Sequence, residues 1–407
     1  MPRCVRQLIC GLLLAVAVLS IPAQGKTMLS VGTWLAPERW SGTYGRQMDF
    51  FEKNNPDIKL DVSTIASHKE YAAKVAVLAA TGSIPDVLQI PPEQVAPLAV
   101  GGVLENLEPW IERDKSLDTR AWIPGALNAV RYAGIMFGMP GFVVNYTYAY
   151  NKDILAQRGV VPPAADSWIT WEEIRDVAKR STVDMDGDGQ PEIWGYYHGT
   201  PYTQIVPLIY QAGGRMFDKD DLLDIDVPAA YKAMNWLLGL IRDGIHGGST
   251  SLFLNGKVAS IHLGTGSIGS GIGDTPVGVT SGTQDVTKGE VAYVTSFALT
   301  TNAKEKDAAW RYLKYLTSRD SQEFVVARGR VPMRRDVTLP LETRELLTGL
   351  MNSLGFAEPY PYHVHSDYIQ SAFDAGMKSV WQGQAAPETV VPQVQRAINA
   401  YISQQSR

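Results

Sequence analysis

Cysteine is nearly missing from this 407-residue chain: there are two, Cys4 and Cys10, and both fall within the first 25 residues. The remainder therefore offers no thiolate nucleophile, no Cys-ligated metal and no disulfide, so a hydrophobic core must supply its stability alone. Long apolar runs are missing as well. The longest, Leu8 to Leu19, is too short to cross ~30 Å of hydrocarbon at ~1.5 Å per residue, so a membrane-inserted protein is not expected. Nor is there a surplus of positive charge. The 37 Lys+Arg face 42 Asp+Glu, a formal net charge of −5, and with nothing to offset phosphate repulsion no nucleic-acid partner is expected. No G-x-S-x-G elbow, P-loop or H-E-x-x-H occurs, which removes the common hydrolase and nucleotidase motifs.

What is present reads as globular. A hydrophobic fraction of 45%, with 37 Gly and 24 Pro spread without a short period, excludes collagen and coiled coil. At roughly 100 to 200 residues per domain, the length predicts two to three folded units. Residues 1–25 form a separate object. Arg3 and Arg6 precede the apolar stretch, and Ala23-Gln24-Gly25 gives a small-x-small cleavage site before Lys26, the pattern of a Sec-type signal peptide. Cys10 lies at the start of the apolar stretch rather than after it, so no lipid is expected there. The mature protein is expected to be periplasmic and monomeric.

Beyond Lys26, strand and helix signals alternate. Met28 to Trp34 reads as a strand, Gly42 to Asn54 as an amphipathic helix and Asp57 to Ser63 as a strand, which makes one βαβ unit. Ser67-His68-Lys69-Glu70 reads as a capping box opening a helix to about Ala80, followed by a strand from Asp86 to Ile90. Thr170-Trp171-Glu172-Glu173 caps another helix. Gly256 to Leu263 and Glu290 to Thr300 read as strands, and Ala303 to Thr317 as a helix. The alternation predicts an α/β fold with largely parallel sheets. With no low-complexity linker, strands must cross between lobes, and Met139 to Asn151 and Glu290 to Thr300 are the candidates.

The order of short motifs resembles one family. Pro85-Asp86-Val87 precedes Gly138-Met139-Pro140 and Tyr148-Ala149-Tyr150-Asn151-Lys152-Asp153, and then come Thr170-Trp171-Glu172-Glu173 and Gly213-Gly214 before Phe217-Asp218. Gly256-Lys257-Val258-Ala259, Ala308-Ala309-Trp310 and Gly329-Arg330-Val331-Pro332-Met333-Arg334 follow. The whole mature chain is similar to the extracellular solute-binding proteins of carbohydrate-uptake ABC transporters. The resemblance implies a type II periplasmic-binding-protein-like fold, two α/β lobes joined by crossing strands that close on a ligand. By that pattern the first lobe holds about 26–140 and 295–345, and the second about 141–294 and 346–407. It also implies a carbohydrate ligand, an ABC transporter permease as partner and no catalysis. One departure stands out: Ser260-Ile261-His262 follows the Gly256-Lys257-Val258-Ala259 motif, where methionine and aromatic residues are commoner.

Sugar sites combine rings that pack on pyranoside C–H faces with polar groups for the hydroxyls. The candidates are residues after strands or on crossing segments: Trp34, Glu38 and Trp40 after the first strand, Gln89 after the second unit, and Asn145 and Tyr146 on a crossing segment. Tyr197 and His198, His262 and Ser267 around a glycine loop, and Arg330 and Arg334 near the last crossing complete the set. Gly264 to Gly269 matches G-x-G-x-x-G, but no helix can readily follow it, so it reads as a flexible cleft loop rather than a dinucleotide site. Asp184, Asp186 and Asp188 with Gly189 have the spacing of a Ca²⁺ loop, yet Gly195 stands where the bidentate glutamate belongs. That leaves either a weak structural Ca²⁺ site or an ordinary Asp/Gly turn. His363-Val364-His365 is either a partial metal site or a packing pair. The competing functions are a receptor for another solute, such as a sugar phosphate or a polyamine, and a secreted carbohydrate-active enzyme.

Overall fold

The computed structural model describes residues 25–65, 70–264 and 275–405. The signal-peptide segment, the Ser67 capping box and Ser267 lie outside the described residues. The chain opens with β1 (Thr27–Thr33), the helix Pro37–Asn54, β2 (Ile58–Thr64), the helix Tyr71–Ala80 and β3 (Val87–Ile90). β2 and β3 flank β1 in parallel, with Leu29 opposite Leu60 and Val31 opposite Val87. The first helix starts five residues earlier than its periodicity suggests, because Pro37 occupies its first turn, where a missing N–H costs nothing.

A hairpin of β4 (Arg131–Tyr132) and β5 (Ile135–Met136) leads into β6 (Met139–Asn151). Then come β7 (Trp168–Thr170), the helix Trp171–Ser181, β8 (Trp194–Tyr197), the helices Tyr202–Gln211 and Pro228–Arg242, and β9 (Val258–Gly264). The predicted capping box at Thr170 and Glu173 is formed. β10 (Val277–Val279), β11 (Gly282–Gln284) and β12 (Glu290–Leu299) follow. The chain then runs through the helices Lys306–Leu316, Arg319–Val326 and Arg344–Leu354, β13 (Ala357–Pro359), and the helices Ser366–Gly376 and Pro387–Gln405.

The main sheet runs β2-β1-β3-β12-β6-β9-β8. Its two long central strands are β6 and β12, buried along nearly their whole length, as strands covered on both faces must be. They pair antiparallel from Met139 opposite Phe297 to Asn145 opposite Ala292; at the first end β12 runs beside β3 over Ser296–Leu299, and past the other β6 runs beside β9. These are the strands that join the lobes. The carboxyl ends of the parallel strands point at this seam: Ile90 lies opposite Ser296, and Gly264 opposite Tyr146. The pairing slips between Thr295 and Ser296, leaving Gly141 as an extra residue on β6. A Cβ on Gly141 would sit 2.6 Å from the Phe297 ring, so the bulge requires glycine there.

Two large cores flank the seam. One gathers Leu29, Val31, Trp40, Tyr44, Phe51, Phe297 and Tyr312, and the other Tyr148, Trp171, Tyr196, Trp236, Leu237, Phe373 and Ile398. The helix Arg344–Leu354 bridges behind them. Its Leu347, Leu350 and Leu354 enter the first core, while Gly349 backs onto the carbonyls of Ala165 and Thr280.

Candidate functional site

At the carboxyl ends of β8 and β9, a row of rings lines the seam. His198, one residue past β8, stacks face to face on His262 at 4.5 Å and 4°. His262 stacks in turn on Tyr146 at 5.2 Å. Tyr148 stands directly across from His262 and Tyr146 is its diagonal neighbour, a separation that aromatic side chains can span. Gly264 opposite Tyr146 presents no side chain and leaves room for that tilt. Tyr146 meets Tyr293 of β12 edge-on at 5.7 Å, Tyr293 meets Tyr360 at 5.2 Å, and Tyr360 meets Tyr362 at 5.7 Å.

The first lobe faces this row with the segments that follow its strands. Trp34 stands one residue past β1, half-buried against both apolar clusters of that lobe. Past β3 the turn Pro92–Gln94 carries Glu93 and Gln94, both buried. Gln94 Nε2 donates to both carboxylate oxygens of Asp367 at 3.0 Å, and Asp367 belongs to the helix Ser366–Gly376 of the second lobe. Tyr362 packs against clusters of both lobes. Burial, helped by the nearby Glu93 carboxylate, holds the Tyr293, Tyr360 and Tyr362 hydroxyls firmly protonated.

Several polar atoms here are buried and have no hydrogen-bond partner among the described residues: His198 Nε2, His262 Nδ1, Gln94 Oε1, Tyr360 Oη and Tyr362 Oη. Leaving such groups unpaired costs about 1–3 kcal/mol each. Behind His262 sits Glu290, with no exposed surface. Its Oε1 accepts from the Thr283 N–H and hydroxyl at 3.1 Å, and its Oε2 lies 3.4 Å from His262 Nε2. Burial pushes the Glu290 carboxyl up to about 8 and His262 down to about 3. His198 is held well below the ordinary histidine range, chiefly by burial and then by the neighbouring His262. At neutral pH all three groups are uncharged.

Of the residues singled out in the sequence, the structure gathers Tyr146, His198 and His262; Tyr197, paired with Ile261, turns to the other face of the sheet, against the first core and His246 at 5.9 Å. Three others are corrected. Trp40 is a core residue, turned inward by the early start of its helix, with its indole N–H on Met48 Sδ and its ring on Tyr44. Gln89 is fully buried and spent on its own lobe, accepting from Thr33 Oγ1 and donating to Tyr44 Oη at 3.0 Å. Arg334 pairs with Asp336 and donates to the carbonyls of Asp118 and Thr317, which fixes the loop after Val331.

Glu38 is exposed in the first turn of its helix, where a carboxylate suits the macrodipole. Asn145 is buried on β6 and donates to Ser353 Oγ at 3.0 Å, tying the crossing strand to the bridging helix. Arg330 lies over the Phe142 ring at 5.0 Å. Glu93, Gln94, Tyr293, Tyr360 and Tyr362 were missed. Glu93 and Gln94 follow a strand just as Trp34 does, and that signal marks them; only the pairing of distant strands reveals the tyrosines.

The aspartate loop lies at the opposite, amino end of β8. Oxygens of Asp184, Asp186 and Asp188 come within 4.8 Å of one another. Asp184 accepts from the N–H groups of Gly187 and Gly189, Asp186 from that of Asp188, and Asp188 from that of Gln190. Glu192 folds back onto the Met185 N–H.

A profile of the family described as bacterial extracellular solute-binding protein matches residues 47–345. A Brucella abortus (strain 2308) protein named only as a binding protein is 21% identical over 420 aligned positions, covering 94% of this chain and 95% of that one. Among solved structures, an ABC substrate-binding protein of Listeria monocytogenes in complex with cycloalternan superposes with a TM-score of 0.78 at 23% identity, over 93% of this chain and 99% of its own. The sugar-binding protein MalE of Xanthomonas citri also reaches 0.78, at 19% identity over 93% and 98% of the two chains. At such identities the likeness is one of fold: two lobes with a cleft between them.

Proposed function

The chain belongs to the bacterial extracellular solute-binding protein family, and from that premise we propose that it captures a sugar, a mono- to oligosaccharide or related polyol, between its lobes and delivers it to an ABC transporter permease. The observation that carries this reading is the set of buried, unpartnered donors and acceptors on both sides of a tyrosine- and histidine-lined seam. Rings for pyranoside faces and spare polar atoms for hydroxyls are what a saccharide needs. Similar structures were solved with cycloalternan, α-D-tagatose and maltotriose bound. A sugar phosphate is less well matched, because the imidazoles at the centre of the row are uncharged and the carboxylates of Glu93 and Asp367 stand nearby; a polyamine would pair with those acids but leave the ring faces unused. A glycosidase needs two carboxylates free across the cleft at ~5–9.5 Å; here the Glu290 carboxyl is turned away onto Thr283 and His262, and the Asp367 carboxylate is held through both oxygens by Gln94 Nε2.

Thermal-shift screening against maltose, maltotriose, D-tagatose, cycloalternan and other neutral saccharides should find one that raises the melting temperature, since ligand bound to the native state adds RT ln(1+[L]/Kd). Trp34→Ala should then weaken binding of that sugar by about 1–3 kcal/mol, the range for a lost ring face, while the ligand-free protein, having lost packing against both clusters, melts at a lower temperature but still cooperatively. A rise only with glucose 6-phosphate or spermidine would move the reading to a charged solute. Turnover of the bound sugar would sink the receptor reading itself.

The further readings are proposals of the same kind. The receptor acts in the periplasm as a monomer with its N-terminus near Lys26, and intact-mass analysis of the exported protein should find that terminus and no acylated Cys10. Any Ca²⁺ held by Asp184, Asp186 and Asp188 binds weakly, because the loop already satisfies its carboxylates internally. Chelation should therefore lower the melting temperature by a few degrees at most and leave the ligand stoichiometry intact.

A further inference from the structure

We propose that the stacked imidazoles of His198 and His262 act together as a reader of ligand hydroxyl, His262 Nδ1–H donating and His198 Nε2 accepting, and thereby set the site's preference for an uncharged polyol face. This rests on the saccharide reading of the cleft and adds which atoms discriminate.

The protonation pattern follows from the neighbours of each ring. His198 Nδ1 lies 2.7 Å from the Gly199 carbonyl oxygen, which can only accept, so Nδ1 carries the hydrogen and Nε2 keeps a free lone pair. In His262 it is Nε2 that faces a partner, Glu290 Oε2 at 3.4 Å. The other Glu290 oxygen is already taken as an acceptor by both Thr283 groups, and the carboxyl, fully buried, keeps its proton at neutral pH. With Oε1 occupied as an acceptor, that proton is assigned to Oε2, the oxygen facing His262 Nε2, and Nε2 then accepts, which leaves the hydrogen of His262 on Nδ1.

Both rings are at least nine-tenths buried, and neither His198 Nε2 nor His262 Nδ1 finds a partner among the described residues. Parallel stacking at 4.5 Å sets one unused acceptor and one unused donor on adjacent layers. A hydroxyl both donates and accepts, so one hydroxyl or a vicinal pair satisfies both rings together. An ammonium could satisfy only His198 and a phosphate oxygen only His262, leaving the other atom buried and unpaired, a large selectivity at a site built for hydrogen bonds.

Two measurements test this. In ¹⁵N-histidine NMR of the ligand-free protein at pH 7, both rings should appear as the neutral Nδ1–H tautomer; a charged ring, or the Nε2–H form at His262, overturns the assignment. The neutral saccharide that gives the largest thermal shift is then titrated by calorimetry into wild type, His198→Phe and His262→Phe, which keep the ring and lose the polar atom. Each variant should lose about 10- to 100-fold in affinity. Unchanged affinity in both would overturn the hydroxyl reader while leaving the saccharide receptor standing; no response to any neutral saccharide would remove both. If either variant fails to fold, deoxy analogues of that sugar titrated into wild type decide it. One hydroxyl should account for a loss of at least tenfold, and a uniform affinity across the analogues overturns the proposal.

Discussion

Wild-type protein is expected to lose stability between pH 6.5 and 8, and Glu290→Gln is expected to abolish that fall. In the folded state the carboxyl is pushed up to about 8 from an unfolded value near 4.5 by complete burial. The folded state therefore holds a proton that the unfolded chain releases, and the stability this confers is present at low pH and lost as pH rises through the folded value. On the acid side the sign reverses. His262, held down at about 3 from 6.5, and His198, also lowered, stay neutral when folded and take up protons when unfolded, so stability falls as pH drops below 6.5. Melting temperature should thus peak near pH 6.5. One proton at ~1.4 kcal/mol per pH unit amounts to about 2 kcal/mol between pH 6.5 and 8. Glutamine keeps an acceptor for Thr283 and a donor for His262 Nε2 but has no proton to lose, so the gap between variant and wild type should widen by that amount. Denaturation curves at several pH values measure it, and parallel profiles would show that Glu290 is ionised when folded.

Phe297→Ala should lower stability by about 3–5 kcal/mol, the range for emptying a core of a phenylalanine. Phe297 has no exposed surface and stands on β12 where the crossing strand enters the first lobe. Its ring meets Tyr44 edge-on at 5.5 Å, Trp40 at 6.2 Å and Tyr312 at 6.4 Å. On its other flank lies the backbone of Gly141, which cannot move in without undoing the bulge. Because Tyr44 also holds Gln89, collapse around the cavity is restricted, and restricted collapse makes truncation expensive. A urea midpoint shifted with an unchanged slope would register the loss. Phe297→Leu, which keeps most of the volume, should cost well under half as much. A loss below ~1 kcal/mol for alanine would mean that this ring cluster is not where the first lobe gets its stability.

The crossing strands were legible in the sequence because segments such as Met139 to Asn151, rich in β-branched and aromatic residues with Tyr146, Tyr148 and Tyr150 in alternation, carry a strong strand signal. The capping box at Thr170 was legible for a local reason, since its partner lies three residues away. Trp40 and Gln89 were misread because nearness to a strand's end does not say whether a side chain turns toward the cleft or the core: the helix start at Pro37 turns Trp40 inward, and Gln89 stands within β3, opposite the distant Phe297, with its amide spent on its own lobe. Tyr293, Tyr360 and Tyr362 carry no local mark at all. They converge only because β12 and β13 come together beside the carboxyl end of β9. His198 and His262 were visible as candidates, but their stacking needs β8 and β9 in register, with Tyr197 opposite Ile261.

The passage of β12 through both lobes also dictates an order of assembly as the chain emerges into the compartment where it folds. β3 finds its neighbour β12 some 200 residues later in the chain, and the helices that cover the first sheet, Lys306–Leu316 and Arg319–Val326, follow later still. A nascent chain that has emerged only as far as the second lobe therefore holds β1, β2 and β3 with one edge open and one face bare. Loop closure over so long a separation is slow. The amino-terminal half cannot complete its sheet until about residue 326 has emerged, and a chain halted before that point is expected to be the species that proteases and aggregation remove first.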